Sequence, residues 1–150
     1  MPNRRLDLDR FVPYRLSVLT NRVSSAIARH YSERFNLSIP EWRIIAVLGQ
    51  NPGLSAREVA MRTAMDKVQV SRAVASLLSA GRITKQAHVS DGRIAHLSLS
   101  SKGRAIYEEI VPLALGLEAR FLSVLTRTER QTLDQLISKL SATSLDLGED

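Results

Sequence analysis

The sequence predicts a mainly α-helical fold that carries one small β-hairpin. Apolar residues recur three or four positions apart in most of the chain, as on one face of a helix. Four helix starts are marked by Ser, Thr or Asp followed three residues later by Glu or Gln. Asp91-Gly92 supplies a hairpin turn, because both positions tolerate a positive φ. The length of 150 residues suits one domain.

Two helices open the predicted order. The first spans residues 12–35, and the second runs from Glu41 to about Gln50. Ser38 caps the second helix, and Pro40 stands in its first turn, where no backbone donor is missing. The apolar stripe of the first helix consists of Leu16, Leu19, Val23, Ile27 and Tyr31.

A helix-turn-helix follows. Ser55 opens a short helix that ends near Thr63, and Asp66 opens another that ends at Gly81. Two short capped helices joined by about three residues are typical of this motif.

The predicted hairpin comes next, with extended segments at 83–89 and from Ile94 onward. A long helix then runs from Ser101 to about Leu125, and we expect Pro112 to kink it. A last helix starts after Thr126. Its inner face consists of Leu133, Leu136, Ile137 and Leu140.

The positive charge is concentrated in one segment. Residues 51–104 contain nine basic and three acidic residues, so this segment carries the whole net charge of +6. Such a surplus favours a basic face for a polyanion, although scattered solvated side chains are the alternative.

The composition and the motifs of the chain also argue against several kinds of site, activity and location. The chain has no cysteine, which excludes disulfides, thiolate metal sites and cysteine redox sensing. No apolar run approaches a membrane span and no signal peptide opens the chain, so we expect a cytoplasmic protein without a membrane partner. His30 and Glu33 have possible metal-ligand spacing, but such pairs are more often surface contacts. Without a catalytic motif, we expect no metal, no cofactor and no enzyme.

Five stretches, in this order, resemble the multiple-antibiotic-resistance-regulator (MarR) family. They are PEWRIIAVL at 40–48, LSAREVA at 54–60, VSRAVASLLSAG at 70–81, SDGR at 90–93 and LSLSSKG at 97–103. The resemblance implies a single domain over 1–150. It would consist of a winged helix-turn-helix core at about 38–104 and dimerisation helices at about 11–36 and 101–141.

The same resemblance implies a function. The protein would be a sequence-specific, DNA-binding transcriptional regulator, namely a homodimeric repressor on a pseudo-palindromic double-stranded operator. A small aromatic or phenolic ligand would release it. The alternatives are a winged-helix module for protein interaction and, less favoured, a small metal-dependent enzyme.

The helix after Asp66 supplies the candidate base contacts. A rotation of about 100° per residue puts Val70, Val74 and Leu77 in the core and leaves the opposite face for a major groove. Arginine can bind guanine, glutamine can bind adenine, and valine can contact the methyl group of thymine. The candidates are Val68, Gln69, Ser71, Arg72 and Ser76.

A second set of candidate DNA-binding residues would contact phosphates or belong to the wing, which is the predicted hairpin. We expect Arg93, at the hairpin tip, to enter a minor groove, although an ordinary surface arginine is the alternative. Asp91 would hold the turn. The set comprises Ser55, Arg57, Lys67, Lys85, His88, Asp91 and Arg93.

A ligand crevice is implied by the resemblance alone. Its candidate wall residues are Tyr14, Arg15, His30 and Trp42. Trp42 also suits ordinary core packing.

Overall fold

The computed structural model describes residues 5–87 and 94–145, and it confirms the mainly α fold with one hairpin. The chain divides into two compact units, residues 1–112 and 113–150, and the helix α5 runs through the boundary. The elements in chain order are α1 (Val12–Phe35), α2 (Ile39–Gln50), α3 (Ala56–Thr63), α4 (Lys67–Ser79), β1 (Ile83–Ala87), β2 (Ala95–Leu99), α5 (Ser101–Leu122) and α6 (Arg127–Ser141).

Two helices start with the reciprocal capping predicted from sequence. At α2, the Ser38 hydroxyl accepts from the Glu41 N–H, and the Glu41 carboxylate accepts from the Ser38 N–H. Thr126 and Glu129 repeat both bonds at α6. Each box satisfies two backbone N–H groups at a helix start, and it therefore fixes where the helix begins.

The start of α3 differs from the expected box. The Ser55 hydroxyl accepts from the Glu58 N–H, but the Glu58 carboxylate contacts the Ser55 hydroxyl instead of the Ser55 backbone N–H. Ala64 ends α3 in the left-handed region with a φ of 52°, and Asp66 caps α4 two residues later. The predicted helix-turn-helix is thereby confirmed.

The core of the first unit lies where α2, α3 and α4 meet the hairpin. Its residues come from every element of this unit, so the hairpin is anchored to the helices by apolar burial. The buried residues include Tyr31, Ile44, Ile45, Leu48, Val59, Val70, Ala73, Leu77, Ile83, Leu97, Ile106 and Ile110.

The hairpin is antiparallel and is held by the loop before α3. The register pairs Ile83 with Leu99 and Lys85 with Leu97. Leu97 also donates to the Leu54 carbonyl at 2.8 Å, and its own carbonyl accepts from the Gly53 N–H at 2.9 Å. These bonds fix the start of α3 beside β2.

The second unit leaves many of its apolar side chains exposed, among them Phe121, Leu136, Ile137 and Leu140. No residue of α6 is fully buried, and only Leu133 of its predicted inner face is half-buried. The α5 helix ends at Leu122, three residues before the predicted end. A turn follows, in which the Leu125 N–H donates to the Leu122 carbonyl at 3.0 Å, and it leads to the Thr126 cap of α6. Pro112 lies inside α5, and the kink stays a prediction. Among the described helices, none is long and apolar enough to cross a membrane.

Candidate nucleic-acid interface

The helix α4 presents the outer face that the sequence predicts. Val70 is 2% exposed and Leu77 is fully buried, whereas Val68 on the opposite side is 55% exposed. Val74, expected in the core, is only half-buried because it lines a groove beside the hairpin. Ala73 takes the deeper position. The candidates on the outer face are all exposed, namely Val68, Gln69, Ser71, Arg72 and Ser76.

The start of α4 is fixed by Asp66. Its carboxylate accepts from the N–H groups of Val68, at 2.7 Å, and of Gln69, at 3.3 Å. Lys67 lies exposed in the same turn. The backbone that carries Gln69 is therefore ordered by its own cap.

Ser76 has a partner in another helix. Its hydroxyl donates to Oε2 of Glu41, the capping residue of α2, at 3.2 Å. Arg72, one turn before Ser76, has neither a hydrogen bond nor an ion pair with any residue in the described ranges. Its guanidinium is thus available to a ligand outside the chain.

Three candidates of the second set share one groove. Ser55 and Arg57, at the start of α3, and Lys85, on β1, line it together. Leu97 and Val74 form part of its apolar floor. The bonds between β2 and the loop before α3 bring these residues together, although they lie up to thirty positions apart in sequence. A hydroxyl, a guanidinium and an ammonium group in one groove suit a phosphate.

Several basic residues of the segment 51–104 serve the fold instead. The Arg82 guanidinium donates to the carbonyl of Phe35, and the Lys102 ammonium donates to the carbonyl of Ala80 at 3.1 Å. Arg104 lies over the ring of Tyr107, 5.7 Å from its centroid. These three residues have partners within the chain, so the charge count alone does not tell which basic residues of the segment are free for a polyanion. Among the described residues of this segment, the exposed basic residues without such contacts are Arg57, Lys67, Arg72 and Lys85.

Three wing candidates, His88, Asp91 and Arg93, lie outside the described residues. Their roles remain predictions.

The four ligand candidates do not form one pocket in a single chain. Tyr14 and Arg15 line a groove along the first half of α1. Trp42 lies half-buried against the Tyr31 ring, with centroids 4.7 Å apart. His30 is exposed on α1, about 24 Å along the axis from Tyr14 at 1.5 Å per residue.

His30 and Glu33, which have possible metal-ligand spacing, gain no further ligand among the described residues. Within the ranges that the structure describes, no group of three His, Cys, Asp or Glu side chains is placed to hold a metal ion.

A capped helix-turn-helix joined to an antiparallel hairpin defines a winged helix-turn-helix protein. The MarR family model matches residues 35–94. The transcriptional regulator BilQ of Clostridium symbiosum is 33% identical over 66% of this chain and 69% of its own length. This chain belongs to the MarR family of transcriptional regulators.

Two further comparisons extend over most of the chain. An HTH-type transcriptional repressor of Mycobacterium tuberculosis is 28% identical over 88% of this chain and 92% of its own length. The crystal structure of a MarR/EmrR family regulator from Acinetobacter sp. ADP1 superposes with a TM-score of 0.83 at 27% identity, covering 91% of this chain and 96% of that one.

Proposed function

We propose that this protein is a cytoplasmic, homodimeric repressor that binds a pseudo-palindromic DNA operator through α4 and the hairpin. The observation that carries the proposal is the exposed face of α4, on which Arg72 has no hydrogen-bond or ion-pair partner among the described residues. A bidentate arginine is the commonest specific contact to guanine O6 and N7. Gln69 would bind adenine, and Val68 would contact the methyl group of thymine. Ser71 and Ser76 complete the proposed set of major-groove contacts.

The groove between α3 and β1 would hold the DNA backbone. Ser55, Arg57 and Lys85 line it, and we assign phosphate contacts to them. We assign a further phosphate contact to Lys67 in the first turn of α4. These contacts set the register of the protein on DNA without reading sequence.

The wing would complete the contact with DNA. Arg93 would enter the adjacent minor groove, where narrow A·T-rich segments attract arginine. Asp91 would hold the turn, and His88 would add a phosphate contact. These roles rest on the sequence pattern.

Dimerisation is supported by apolar faces that each unit leaves exposed. In the first unit, Leu16 and Leu19 of α1 are about half exposed. In the second, Phe121, Leu136 and Ile137 are exposed. We therefore assign residues 11–36 and 101–141 to the dimer and residues 38–104 to the DNA-binding core of a single domain. A two-fold dimer matches a palindromic operator.

A small aromatic carboxylate or phenol would release the DNA. The groove along α1 combines the ring of Tyr14 with the guanidinium of Arg15 and apolar neighbours, which suits an aromatic anion. We propose that His30 and Trp42 contribute to such a site in the assembled dimer. The ligand would favour a dimer geometry in which the α4 helices of the two protomers are mis-spaced.

The experiment that tests DNA binding is selection of bound fragments from random DNA, followed by affinity measurements at several salt concentrations. We expect an enriched palindrome, and log affinity should fall by about 0.9 per neutralised phosphate against log salt. Lys85→Ala should reduce this slope by about one per subunit. Lys102→Ala is the matched control, because its ammonium is bound to Ala80. If no DNA sequence is enriched and the affinity does not depend on salt, the proposed DNA binding is wrong.

Light scattering tests the dimer separately. We expect twice the chain mass at micromolar concentration, and we expect Leu117→Asp with Phe121→Asp to give monomers or unfolded chain. A parent protein that is monomeric would contradict this assignment.

A further inference from the structure

The Glu41 carboxylate contacts two helices at once. Its Oε1 accepts from the backbone N–H of Ser38 at 3.2 Å and thereby completes the capping box of α2. Its Oε2 accepts from the hydroxyl of Ser76 on α4 at 3.2 Å. Because Oε1 is held by the helix start, the direction in which Oε2 points is fixed as well.

This contact determines what Ser76 can offer to a third group. A serine hydroxyl has one proton to donate and two lone pairs with which to accept. A carboxylate only accepts, so the proton of Ser76 points to Glu41. The hydroxyl oxygen of Ser76 is then left as an acceptor on the exposed side of α4.

We propose that Glu41 sets the hydrogen-bond polarity of Ser76, so that Ser76 accepts from the exocyclic amino group of adenine or cytosine. In the major groove, adenine N6 and cytosine N4 are donors, whereas guanine O6, guanine N7 and thymine O4 are acceptors. Glu41 is a positioning residue, because it acts on DNA through Ser76. This inference rests on the proposed function, in which α4 lies in a major groove.

A conservative substitution should invert the polarity. In Glu41→Gln, the amide oxygen can still accept from the Ser38 N–H, since glutamine also serves in capping boxes. The amide NH₂ group then points to Ser76 and donates to it. The Ser76 proton becomes free, and Ser76 would donate to guanine or thymine.

The test is fragment selection with the full-length parent, E41Q and S76A, followed by affinities for four operators that differ only at the most affected base pair. We expect S76A to lose the preference at one position of each half-site. E41Q should move the preference at that position from adenine or cytosine to guanine or thymine. The relative affinity for the two kinds of operator should change by about two- to tenfold, the range of a single hydrogen bond.

Two controls separate this effect from changes in folding. Glu129→Gln makes the same substitution in the matching capping box of α6, where the glutamate bonds to Thr126, and it should leave base preference unchanged. Ser38→Ala weakens the α2 cap without removing the Ser76 bond, and it should keep the parental preference. Thermal unfolding of each variant checks that the protein is folded.

The outcomes also distinguish the inference from the function on which it rests. If the parent enriches an operator and folded E41Q keeps the parental preference at every position, the inference is wrong and DNA binding stands. If S76A changes no position, the inference is equally wrong. If the parent enriches no DNA, the proposed function fails and the inference fails with it.

Discussion

Arg82 joins the turn after α4 to the last turn of α1, because its guanidinium donates to the carbonyl of Phe35. The same turn of α1 is tied to α5 by an ion pair in which Arg34 lies 2.8 Å from Glu109. The Nε of Arg82 is buried and has no partner within the described chain. The end of α1 is thereby attached to the residues that lead from α4 into the hairpin.

Substitutions of Arg82 should separate its hydrogen bond from its packing. We expect Arg82→Ala to lower the free energy of unfolding by about 2 kcal/mol, because a charged hydrogen bond and the contacts of the side-chain stem are both lost. Arg82→Met should lower the free energy of unfolding by less than Arg82→Ala does, since methionine fills the space and removes the buried Nε. Urea unfolding followed by circular dichroism measures both. An R82A variant as stable as the parent would contradict this role.

Two glycines of α5 should respond in opposite directions to alanine. A Cβ atom at Gly103 would lie 1.9 Å from the backbone carbonyl oxygen of Arg82, whereas one at Gly116 would meet no atom within 4 Å. We expect Gly103→Ala to lower the free energy of unfolding by about 3 kcal/mol or more. Gly116→Ala should raise the free energy of unfolding by roughly 0.5–1 kcal/mol, because alanine reduces the conformational entropy of the unfolded chain. Thermal unfolding of both variants is the measurement, and a stable G103A variant would contradict the close approach.

The buried Tyr31 should make the protein sensitive to alkaline pH. Its side chain is 1% exposed, and burial raises the pKa of its hydroxyl to about 12. The unfolded chain ionises near pH 10, so stability should fall as the pH rises from about 10 through 12. Tyr31→Phe removes this loss, and it also removes a buried hydroxyl that has no partner in the described ranges. Parallel alkaline titrations that show the same loss in both proteins would contradict the assignment.

The helix starts could be predicted because capping is local. Ser38 with Glu41 and Thr126 with Glu129 are each three positions apart, and the bonds that they form determine where the helices begin. The inner and outer faces of α4 followed equally from helical periodicity, except at Val74. That residue faces a groove that forms only when the hairpin packs beside α3.

The long-range contacts could not be predicted in the same way. The bonds from Ser76 to Glu41 and from Arg82 to Phe35 join residues 35 and 47 positions apart. Neither pair has a local pattern, because their meeting depends on how whole helices pack. For the same reason, the count of basic residues did not separate Arg72, which is exposed, from Arg82, which serves the fold.

We propose that the exposed face of α4 reads DNA sequence while the groove beside it binds phosphate. The most direct measurement is the affinity of the parent, Arg72→Ala and Lys85→Ala for the selected operator and for random DNA at matched salt. We predict that R72A lowers the operator-to-random affinity ratio, by a factor that corresponds to about 1–3 kcal/mol of binding free energy. K85A should weaken both affinities alike and leave the ratio unchanged. An unchanged ratio in R72A, with a collapsed ratio in K85A, would contradict the account.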